Sequence, residues 1–304
     1  MPDADALLTT SLPFPLRRGK VRDVYDLGEA LLFIATDRIS AYDVIMPNGI
    51  PGKGKILTAI TLFWFEKFRA QFENHLITAN VGEYPPAVRE FRDQLEGRSM
   101  LVKKAHVIPI ECVARGYLAG SGWKEYQQTQ TVCGIKLPPG LRQCDKLPTP
   151  IFTPATKEES GHDLNIPFDE AVQRVGLGTA DTLRERTLRL YTLAADYAAS
   201  RGVIIADTKF EFGILSPEPR TPNSQIILID ELLTPDSSRF WPANQYAPGR
   251  DQPSFDKQFV RNYLETLAWD KTPPGPLLPP DVVEGTRKRY LEAYERLTGI
   301  SLSI

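Results

Sequence analysis

Charged and apolar side chains alternate along one predicted strand of this chain. Residues 203–213 have the sequence VIIADTKFEFG, an apolar, β-branched run that passes into strict alternation and is typical of a buried strand. Because successive side chains of a strand lie on opposite faces, Asp207, Lys209 and Glu211 are expected on one face. The two phenylalanines between them would pack into the core. A single charged face of this kind is most often solvated, so this strand alone does not distinguish a site from a surface.

A second predicted strand brings further carboxylates. Residues 226–229 form the apolar run IILI, which ends in the acidic pair Asp230 and Glu231. Carboxylates that cluster without a cation repel one another, so two acidic strand ends favour a bound cation over a solvated surface. Mg²⁺ prefers hard oxygen ligands, and a nearby ammonium balances the charge on a transferring phosphoryl group. The sequence therefore predicts a magnesium site beside phosphates.

Two glycine-rich segments are candidates for binding those phosphates. Residues 49–56, GIPGKGKI, nearly match a P-loop, but that motif needs Ser or Thr after the lysine and Ile56 has no oxygen, so we expect a loop that begins a helix. In residues 17–25, RRGKVRDVY, a glycine precedes a hairpin strand on which Lys20 and Arg22 share a face. Protein kinases cover ATP with a loop of similar design. Together with the acidic strand ends, this segment predicts an ATP site between two lobes.

Three further segments have groups that bind anions. They are residues 111–122 (ECVARGYLAGSG), with Arg115 and Ser121; residues 234–239 (TPDSSR), with Arg239; and residues 255–258 (FDKQ), with Lys257. Glycines free the backbone to approach a ligand, and arginine suits phosphate or carboxylate. Each segment alone could be an ordinary loop. Beside an ATP site, they predict an anionic second substrate.

The composition excludes several classes of protein. With 304 residues and a formal net charge of −2, the chain predicts roughly two domains and lacks the clustered positive charge of nucleic-acid binders. No apolar run approaches the ~20 residues that span a bilayer. The histidines have no zinc-type spacing, so no transition-metal site is predicted. Three cysteines without CxxC spacing, and no signal peptide, predict free thiols in the cytoplasm.

Hydrophobic periodicity predicts the elements that position these groups. A hairpin is expected over residues 21–36, an amphipathic helix near 55–70, and strands at 101–102 and 107–110. A second helix is predicted to begin with Asp181 as N-cap and to stop at Gly202. A closing helix follows Pro280, with Asp281 and Glu284 at capping-box spacing. These elements predict an α+β fold with antiparallel sheets and a C-terminal helix.

Long stretches of the chain resemble the SAICAR synthase family (phosphoribosylaminoimidazole-succinocarboxamide synthase), most closely the longer, single-function form found in yeast. The matching segments are GKVRDVYD, ATDRISAYDV, IPIECVARGYLAGSGWKEY, PIFTPATKEESGHD, IIADTKFEFG, ELLTPDSSRFW and SFDKQFVRNYL. The resemblance implies a two-lobed, kinase-like or ATP-grasp-like fold with ATP between the lobes. The expected division is an N-terminal α+β lobe over residues 1–110, a central α+β lobe over 111–275, and a C-terminal helical segment over 276–304.

The resemblance also implies a role for individual residues. ATP would contact Gly19, Lys20, Val21, Arg22 and Glu111, with Lys209 approaching the transferring phosphoryl group. Mg²⁺ would be held by Glu211 with Asp230 or Glu231; shorter bacterial relatives have one residue fewer after this strand, so both alternatives stay open. The ribonucleotide would be bound by Arg115, Ser121, Arg239 and Lys257, with Asp37, Arg38 and Ser40 nearby. Lys157 and Asp163 would lie over the reacting groups, and Asp207 would accept the amine proton or orient the amine.

The implied activity is an ATP-dependent C–N ligation. The carboxylated aminoimidazole ribonucleotide CAIR and L-aspartate would give SAICAR, ADP and phosphate through an acyl phosphate, catalysed by a monomer or small homo-oligomer. Two alternatives use the same features: a small-molecule kinase that needs no aspartate, and a nucleotide-binding module without turnover.

Overall fold

Antiparallel sheets and surrounding helices make up the fold, which a computed structural model describes for residues 6–157, 164–215 and 225–304. The strands are β1 Leu16–Arg18, β2 Arg22–Asp26, β3 Ala30–Ala35, β4 Ser40–Ala41, β5 Val44–Ile45, β6 Leu76–Thr78, β7 Ser99–Lys103, β8 His106–Val107, β9 Ile110–Tyr117, β10 Thr131–Val132, β11 Ile135–Lys136, β12 Lys146–Phe152, β13 Ala155–Thr156, β14 Val203–Ile214, β15 Ile226–Ile229 and β16 Ser238–Pro242. The helices are α1 Lys53–Lys67, α2 Pro86–Arg89, α3 Arg92–Leu95, α4 Gly120–Thr129, α5 Phe168–Val175, α6 Leu177–Ser200, α7 Gln258–Leu264 and α8 Pro280–Thr298. The predicted α+β class is confirmed.

The N-terminal sheet has the strand order β1-β2-β3-β7-β6 and contains the predicted hairpin as β2 and β3. Its two faces are both covered, because alternate side chains of β3 enter different apolar clusters. Leu32 and Ile34 pack with the residues of α2 and α3. Phe33, between them, packs against the main core. The sheet is therefore held between two apolar layers.

The central sheet is built around β14, which pairs with β9, β15, β16 and β8. Phe210 and Phe212 are 0% exposed in the main core, which also contains side chains of α1, α6 and α8. The opposite face carries Asp207, Lys209 and Glu211, as the alternation predicted. Burial of the phenylalanine face thus fixes the direction in which the charged side chains point.

The strand predicted over residues 107–110 is wrong in its extent. β8 ends at Val107 and β9 begins at Ile110. Pro109 has no N–H to donate to a sheet ladder, so the pairing stops there and resumes one residue later. β9 then continues to Tyr117 and carries Arg115 beside β14.

The two sheets meet where the segment before β6 crosses β15. Asn74 and Leu228 form a parallel bridge, and the backbone N–H of His75 donates to the Leu228 carbonyl at 3.0 Å. The His75 carbonyl accepts from Lys103 N–H in β7 at 2.7 Å. His75 therefore has backbone bonds to both sheets.

The two predicted helix N-caps are wrong. α6 begins at Leu177 after Gly176, so Asp181 lies inside the helix. α8 begins at Pro280, whose fixed φ suits the first helical position, and Asp281 lies in the first turn near the positive end of the helix dipole. The predicted stops hold: Gly202 and Gly299 follow α6 and α8 with φ of 73° and 75°. No helix in the described ranges is long and apolar enough to cross a membrane.

Candidate active site

The charged face of β14 passes along two neighbouring cavities. The first, here the arginine cavity, has a volume of ≈ 300 Å³ and is lined by Arg115, Ser121, Asp207, Lys209, residues 235–239, Asp256 and Arg261, among others. The second, here the glycine-loop cavity, has a volume of ≈ 550 Å³ and is lined by residues 17–22, Val24, Phe33, Val107, Pro109, Lys157, Glu211, Ile229 and Asp230. One strand therefore contributes side chains to both cavities.

Two arginines converge on one carboxylate in the arginine cavity. Asp207 lies opposite Arg115 of β9 and Arg239 of β16 in the sheet register. Its Oδ2 accepts hydrogen bonds from Arg115 Nη1 at 3.0 Å and from Arg239 Nη1 at 2.6 Å. Arg115 Nη2 also donates to Ser121 Oγ at 2.9 Å. The pairing holds two guanidinium forks beside the cavity, the geometry that suits a phosphate or carboxylate.

Burial and charge act differently on the two guanidiniums. Burial lowers the pKa of Arg115 although the Asp207 carboxylate opposes that shift. The Asp207 carboxylate raises the pKa of Arg239 more than burial lowers it. Arginine stays protonated in proteins, so two cations face one fixed anion, and the pair keeps a positive charge for a ligand.

Glycine permits the close packing of Arg239. Gly120 has a φ of 56°, and a Cβ there would lie 2.2 Å from Arg239 Nη2. The sequence predicted that glycines in this segment let a ligand approach the backbone. For Gly120, the group that approaches is an arginine side chain of the site itself.

The glycine loop is held from beneath by a buried arginine. Arg38 donates from Nη2 to the Gly19 carbonyl at 3.0 Å and from Nε to the Lys20 carbonyl at 3.1 Å. It also donates to Asp23 Oδ1 at 2.8 Å. With its carbonyls satisfied on the inner side, the loop is fixed in place, and Lys20 lies at its surface in an ion pair with Asp43.

The structure places Asp37 and Arg38 in the interior rather than at a cavity wall. Asp37 Oδ1 accepts from Gly54 N–H at 2.8 Å and from Arg98 Nη1 at 2.9 Å. Neither these two residues nor Ser40 of β4 lines the arginine or glycine-loop cavity in the described part of the chain. Asp37 and Arg38 instead connect α1 and the glycine loop.

A chain of ion pairs follows the charged face of β14 beyond Asp207. Lys209 Nζ lies 3.4 Å from Glu111 Oε2, and Lys157 Nζ lies 3.2 Å from Glu111 Oε1. Lys157 Nζ also lies 2.5 Å from Glu211 Oε1. Acidic and basic side chains of the site therefore alternate in space, which keeps their net charge small. Asp163, predicted beside Lys157, lies outside the described residues.

The acidic end of β15 faces the glycine loop. Arg22 forms an ion pair with Asp230 and lies with Nη2 at 3.0 Å from Glu231 Oε1. Glu211 lies opposite Ile229, the residue before Asp230, so the Glu211 and Asp230 carboxylates come to the same cavity. Glu231 does not line that cavity and accepts from Thr234 Oγ1 at 2.7 Å.

The donor set fits magnesium bound together with phosphates. Among the described residues, no group of three or more His, Cys, Asp or Glu side chains could hold a metal ion by itself. Glu211 and Asp230 supply two hard oxygen donors, and Mg²⁺ in phosphoryl-transfer sites is usually bound by one or two carboxylates with phosphate and water. Of the two alternatives left by the sequence, the geometry favours Asp230.

Lys257 lies behind the arginine cavity. Its ion-pair partners could not be predicted from the sequence. Its Nζ is 3.0 Å from Asp236 Oδ2, which also accepts from Lys53 Nζ at 2.8 Å. Lys53 belongs to the P-loop-like segment and lies on the same helix face as Leu57 and Ile60, all of them buried. A lysine at helical spacing within an apolar stripe indicates a buried ammonium, which needs an acidic partner, so this pattern could have predicted that Lys53 is paired.

Known proteins are similar to this chain in sequence and fold over nearly its whole length. The family model described as SAICAR synthetase matches residues 15–276. The phosphoribosylaminoimidazole-succinocarboxamide synthase of Desulfosudis oleivorans is 58% identical over 285 residues, which cover 93% of this chain and 95% of the relative. That of Syntrophobacter fumaroxidans is 55% identical over 301 residues, 98% of each chain.

Solved structures give the same result. A structure described as SAICAR-synthase from Saccharomyces cerevisiae complexed with SAICAR has a TM-score of 0.86 at 45% identity and covers 98% of this chain and 100% of that chain. A type-2 SAICAR synthetase in complex with ADP has a TM-score of 0.68 at 24% identity, covering 95% and 100%; at that identity the likeness concerns the fold. The chain therefore belongs to the SAICAR synthetase family and is a ligase of purine biosynthesis.

Proposed function

We propose that the chain joins L-aspartate to the carboxylate of CAIR at the expense of ATP, through an acyl phosphate. The observation that carries this proposal is the single face of β14, on which Asp207, Lys209 and Glu211 connect an anion-binding cavity with a loop-covered cavity. A reaction between a bound ribonucleotide and the terminal phosphate of ATP needs two such adjacent sites.

The glycine-loop cavity is the proposed ATP site. Its lining includes the glycine loop, with Gly19, Lys20, Val21 and Arg22. Glu111 pairs with Lys157, which also lines the cavity. The apolar part of the lining suits a base and consists of Val24, Phe33, Val107, Pro109 and Ile229. Glu211 and Asp230 would hold Mg²⁺, with Glu231 supporting the turn behind them. Bound Mg²⁺ would neutralise charge that develops on the phosphates.

The arginine cavity is the proposed ribonucleotide site. Arg115, Ser121 and Arg239 supply donors for the phosphate or carboxylate of CAIR. The yeast relative whose structure is described as complexed with SAICAR supports a ribonucleotide ligand. Asp37 and Arg38 act from a distance, by fixing α1 and the glycine loop, and Ser40 stays a proposed neighbour of the ribonucleotide.

The chemistry then proceeds in two displacements. A carboxylate oxygen of CAIR attacks the γ-phosphorus of ATP, the bond to the bridging oxygen breaks, and ADP leaves. Lys209 would stabilise the transferring phosphoryl group, for which catalysis is mainly positioning and charge neutralisation. The unprotonated aspartate amine next attacks the acyl carbon and phosphate leaves; the nitrogen gives one proton to the leaving phosphate or to solvent and keeps the other as the amide N–H. Lys157 would lie over these groups. Because Oδ2 of Asp207 already binds two guanidiniums, we favour orientation over proton transfer for Asp207.

The deciding experiment measures ADP release with Mg-ATP and CAIR, with and without L-aspartate. The ligase should show sustained ADP release only with aspartate, in equal amounts with SAICAR. Steady ADP release without aspartate and a stable phosphorylated product would identify a small-molecule kinase. Nucleotide binding without ADP release under either condition would identify a binding module.

We also propose that the enzyme works in the cytoplasm. Burial raises the pKa of Cys133 to about 12 and of Cys144 to about 11, so these thiols stay protonated, which is compatible with the cytoplasm. We propose a monomer or small homo-oligomer and the lobe boundaries near residues 110 and 275.

A further inference from the structure

A buried ion-pair cluster lies directly behind the arginine cavity. Oδ2 of Asp236 accepts from Lys53 Nζ at 2.8 Å and lies 3.0 Å from Lys257 Nζ, while Oδ1 accepts from the Tyr290 hydroxyl at 2.8 Å. Lys53 and Tyr290 are 0% exposed, and the Asp236 side chain is 2% exposed. One carboxylate, in what we name the Asp236 cluster, thus connects α1, the start of α7, and α8.

The Asp236 carboxylate is an anion held by two cations. Burial alone would raise the pKa of Asp236, but Lys257 and Lys53 lower it well below its ordinary value. Removing two ammoniums and a carboxylate from water is costly, so buried ion pairs are weak evidence for a role in stability alone. The position of the cluster in the fold points to a different role.

Asp236 lies in the turn that links the two cavities. Its backbone N–H donates to Thr234 Oγ1 at 3.1 Å, and the same hydroxyl donates to Glu231 at 2.7 Å on the side of the glycine loop. On the other side, the turn leads into β16 and Arg239. The position of Arg239 in the arginine cavity therefore depends on a turn that is fixed to the helices through Asp236.

The cluster also sets the charge around the arginine cavity. The described residues that line this cavity include four carboxylates and four cationic side chains, so their formal charges cancel. Lys53 and Lys257 do not line it but lie directly behind Asp236, and they add positive charge. Burial also raises the pKa of Asp256 in the cavity wall. The formal charges of the lining cancel, so Lys53 and Lys257 make the surroundings of an anionic ligand positive overall.

We infer that Lys53 is a positioning residue for the ribonucleotide: through Asp236 it fixes the turn of residues 234–239, which presents Arg239, and its charge keeps the surroundings of the site positive. This inference rests on the proposed function, because it takes the arginine cavity to be the ribonucleotide site. It gives Lys53, which lies two residues before the motif lysine of the P-loop-like segment, a role that involves no contact with ATP.

The test compares Lys53→Met with Lys55→Met. Methionine fills much of the volume of Lys53 without its charge, and Asp236 keeps Lys257 and Tyr290 as partners. Lys55 is the next lysine of α1 and lines a different cavity.

CAIR binding is measured by calorimetry without ATP, and the KM values for CAIR and ATP are measured separately. We expect Lys53→Met to weaken CAIR binding about 10-fold or more and to raise the KM for CAIR far more than that for ATP. Lys55→Met should match the wild type.

A second variant keeps the inference testable if Lys53→Met does not fold. Tyr290→Phe removes one hydrogen bond to Asp236 and leaves both ammoniums, so it should weaken CAIR binding in the same direction by a smaller factor. Wild-type CAIR affinity in both variants, or equal rises in the two KM values, would overturn the inference. Failure of the wild-type enzyme itself to bind CAIR would contradict the proposed function instead.

Discussion

At the scale of residues, the site combines charges that the sequence could reveal with charges that it could not. The alternation around Lys209 predicted a common face for Asp207, Lys209 and Glu211, because strand geometry fixes the face of each side chain. The partners of these groups come from distant segments, as Arg115 and Arg239 do for Asp207. No local pattern encodes such pairs, since they depend on which strands become neighbours.

The Glu211→Gln variant tests the proposed metal ligand. Glutamine keeps the shape of the side chain and removes one negative charge, while Lys157 retains Glu111 as a partner. The fold should persist, and kcat should fall about 100-fold or more, roughly 3 kcal/mol, as expected for loss of an electrostatic stabiliser. Thermal unfolding, CAIR titration and steady-state rates on the same preparation provide the check. Glu96→Gln, in a surface pair with Arg92, is the control. A near-normal kcat at ordinary magnesium would show that Glu211 is not a ligand.

The Arg239→Lys variant tests the ribonucleotide site. Lysine keeps the charge but cannot form the planar fork that pairs with Asp207 and an anion together. CAIR binding should weaken by roughly 1.5–3 kcal/mol, with little change in the KM for ATP. Steady-state kinetics with each substrate varied in turn gives both values, and Arg142→Lys on the surface serves as the control. Similar rises in both KM values would place Arg239 outside the ribonucleotide site.

At the scale of elements, periodicity predicted the strands and long helices well and their ends poorly. α1 was expected near residues 55–70 and extends over Lys53–Lys67, because its apolar stripe is long enough to be unambiguous. The starts of α6 and α8 were wrong, since Gly176 and Pro279 precede helices without a side-chain cap. Capping patterns indicate only one of several ways to satisfy a helix end.

The contact between α6 and β9 gives a prediction at this scale. A Cβ on Gly116 would lie 2.0 Å from the Tyr191 hydroxyl, which donates to the Ile205 carbonyl at 2.7 Å. Gly116→Ala should therefore lower the free energy of unfolding by about 1–3 kcal/mol, as overpacking does, measured by urea denaturation. Tyr191→Phe in the same chain should recover part of that loss. The control is Gly178→Ala in α6, where a Cβ meets nothing within 4 Å. Equal stability of Gly116→Ala and the control would contradict this packing.

At the scale of the whole molecule, the contact between the two sheets at Asn74, His75 and Leu228, here called the joint, could not be predicted from the sequence. The bridge between Asn74 and Leu228 pairs residues far apart in the chain, and neither segment has a pattern that specifies the other. His75 lies at this joint, 1% exposed, with its ring against Phe33 and Phe65 at centroid distances of 5.3 and 5.9 Å. An uncharged imidazole fits this apolar position, whereas an imidazolium does not.

The joint makes stability depend on pH. Burial, with smaller contributions from Arg22 and Lys103, lowers the pKa of His75 to about 3 from an ordinary value of 6.5. Above pH 6.5, His75 is neutral in both the folded and unfolded chains and adds no pH dependence. Below it, only the unfolded chain takes up the proton, so stability falls as pH decreases, by about 2 kcal/mol from this group between pH 7 and pH 5.

Replacing the imidazole tests that account. His75→Phe cannot titrate, so its free energy of unfolding should fall less than that of the wild type between pH 7 and pH 5. Urea denaturation at the two pH values gives the comparison, and each protein serves as its own reference at pH 7. Parallel losses in the two proteins would mean that His75 is protonated in the folded chain or that other groups dominate.

Because β14 carries side chains to both cavities, it limits which sequence changes can alter the substrate preference of the enzyme. Residues two apart on a strand are separated by roughly 6.6 Å, so the distance between the two substrates is fixed by the backbone rather than by the side chains. Substitutions at the Asp207 end can alter which anion is accepted while the Glu211 end keeps its geometry. An insertion or deletion of one residue between them would turn one end toward the core, and both substrates would lose their alignment at once. Variation in substrate preference within this architecture is therefore expected through substitution, with the length of this strand held constant.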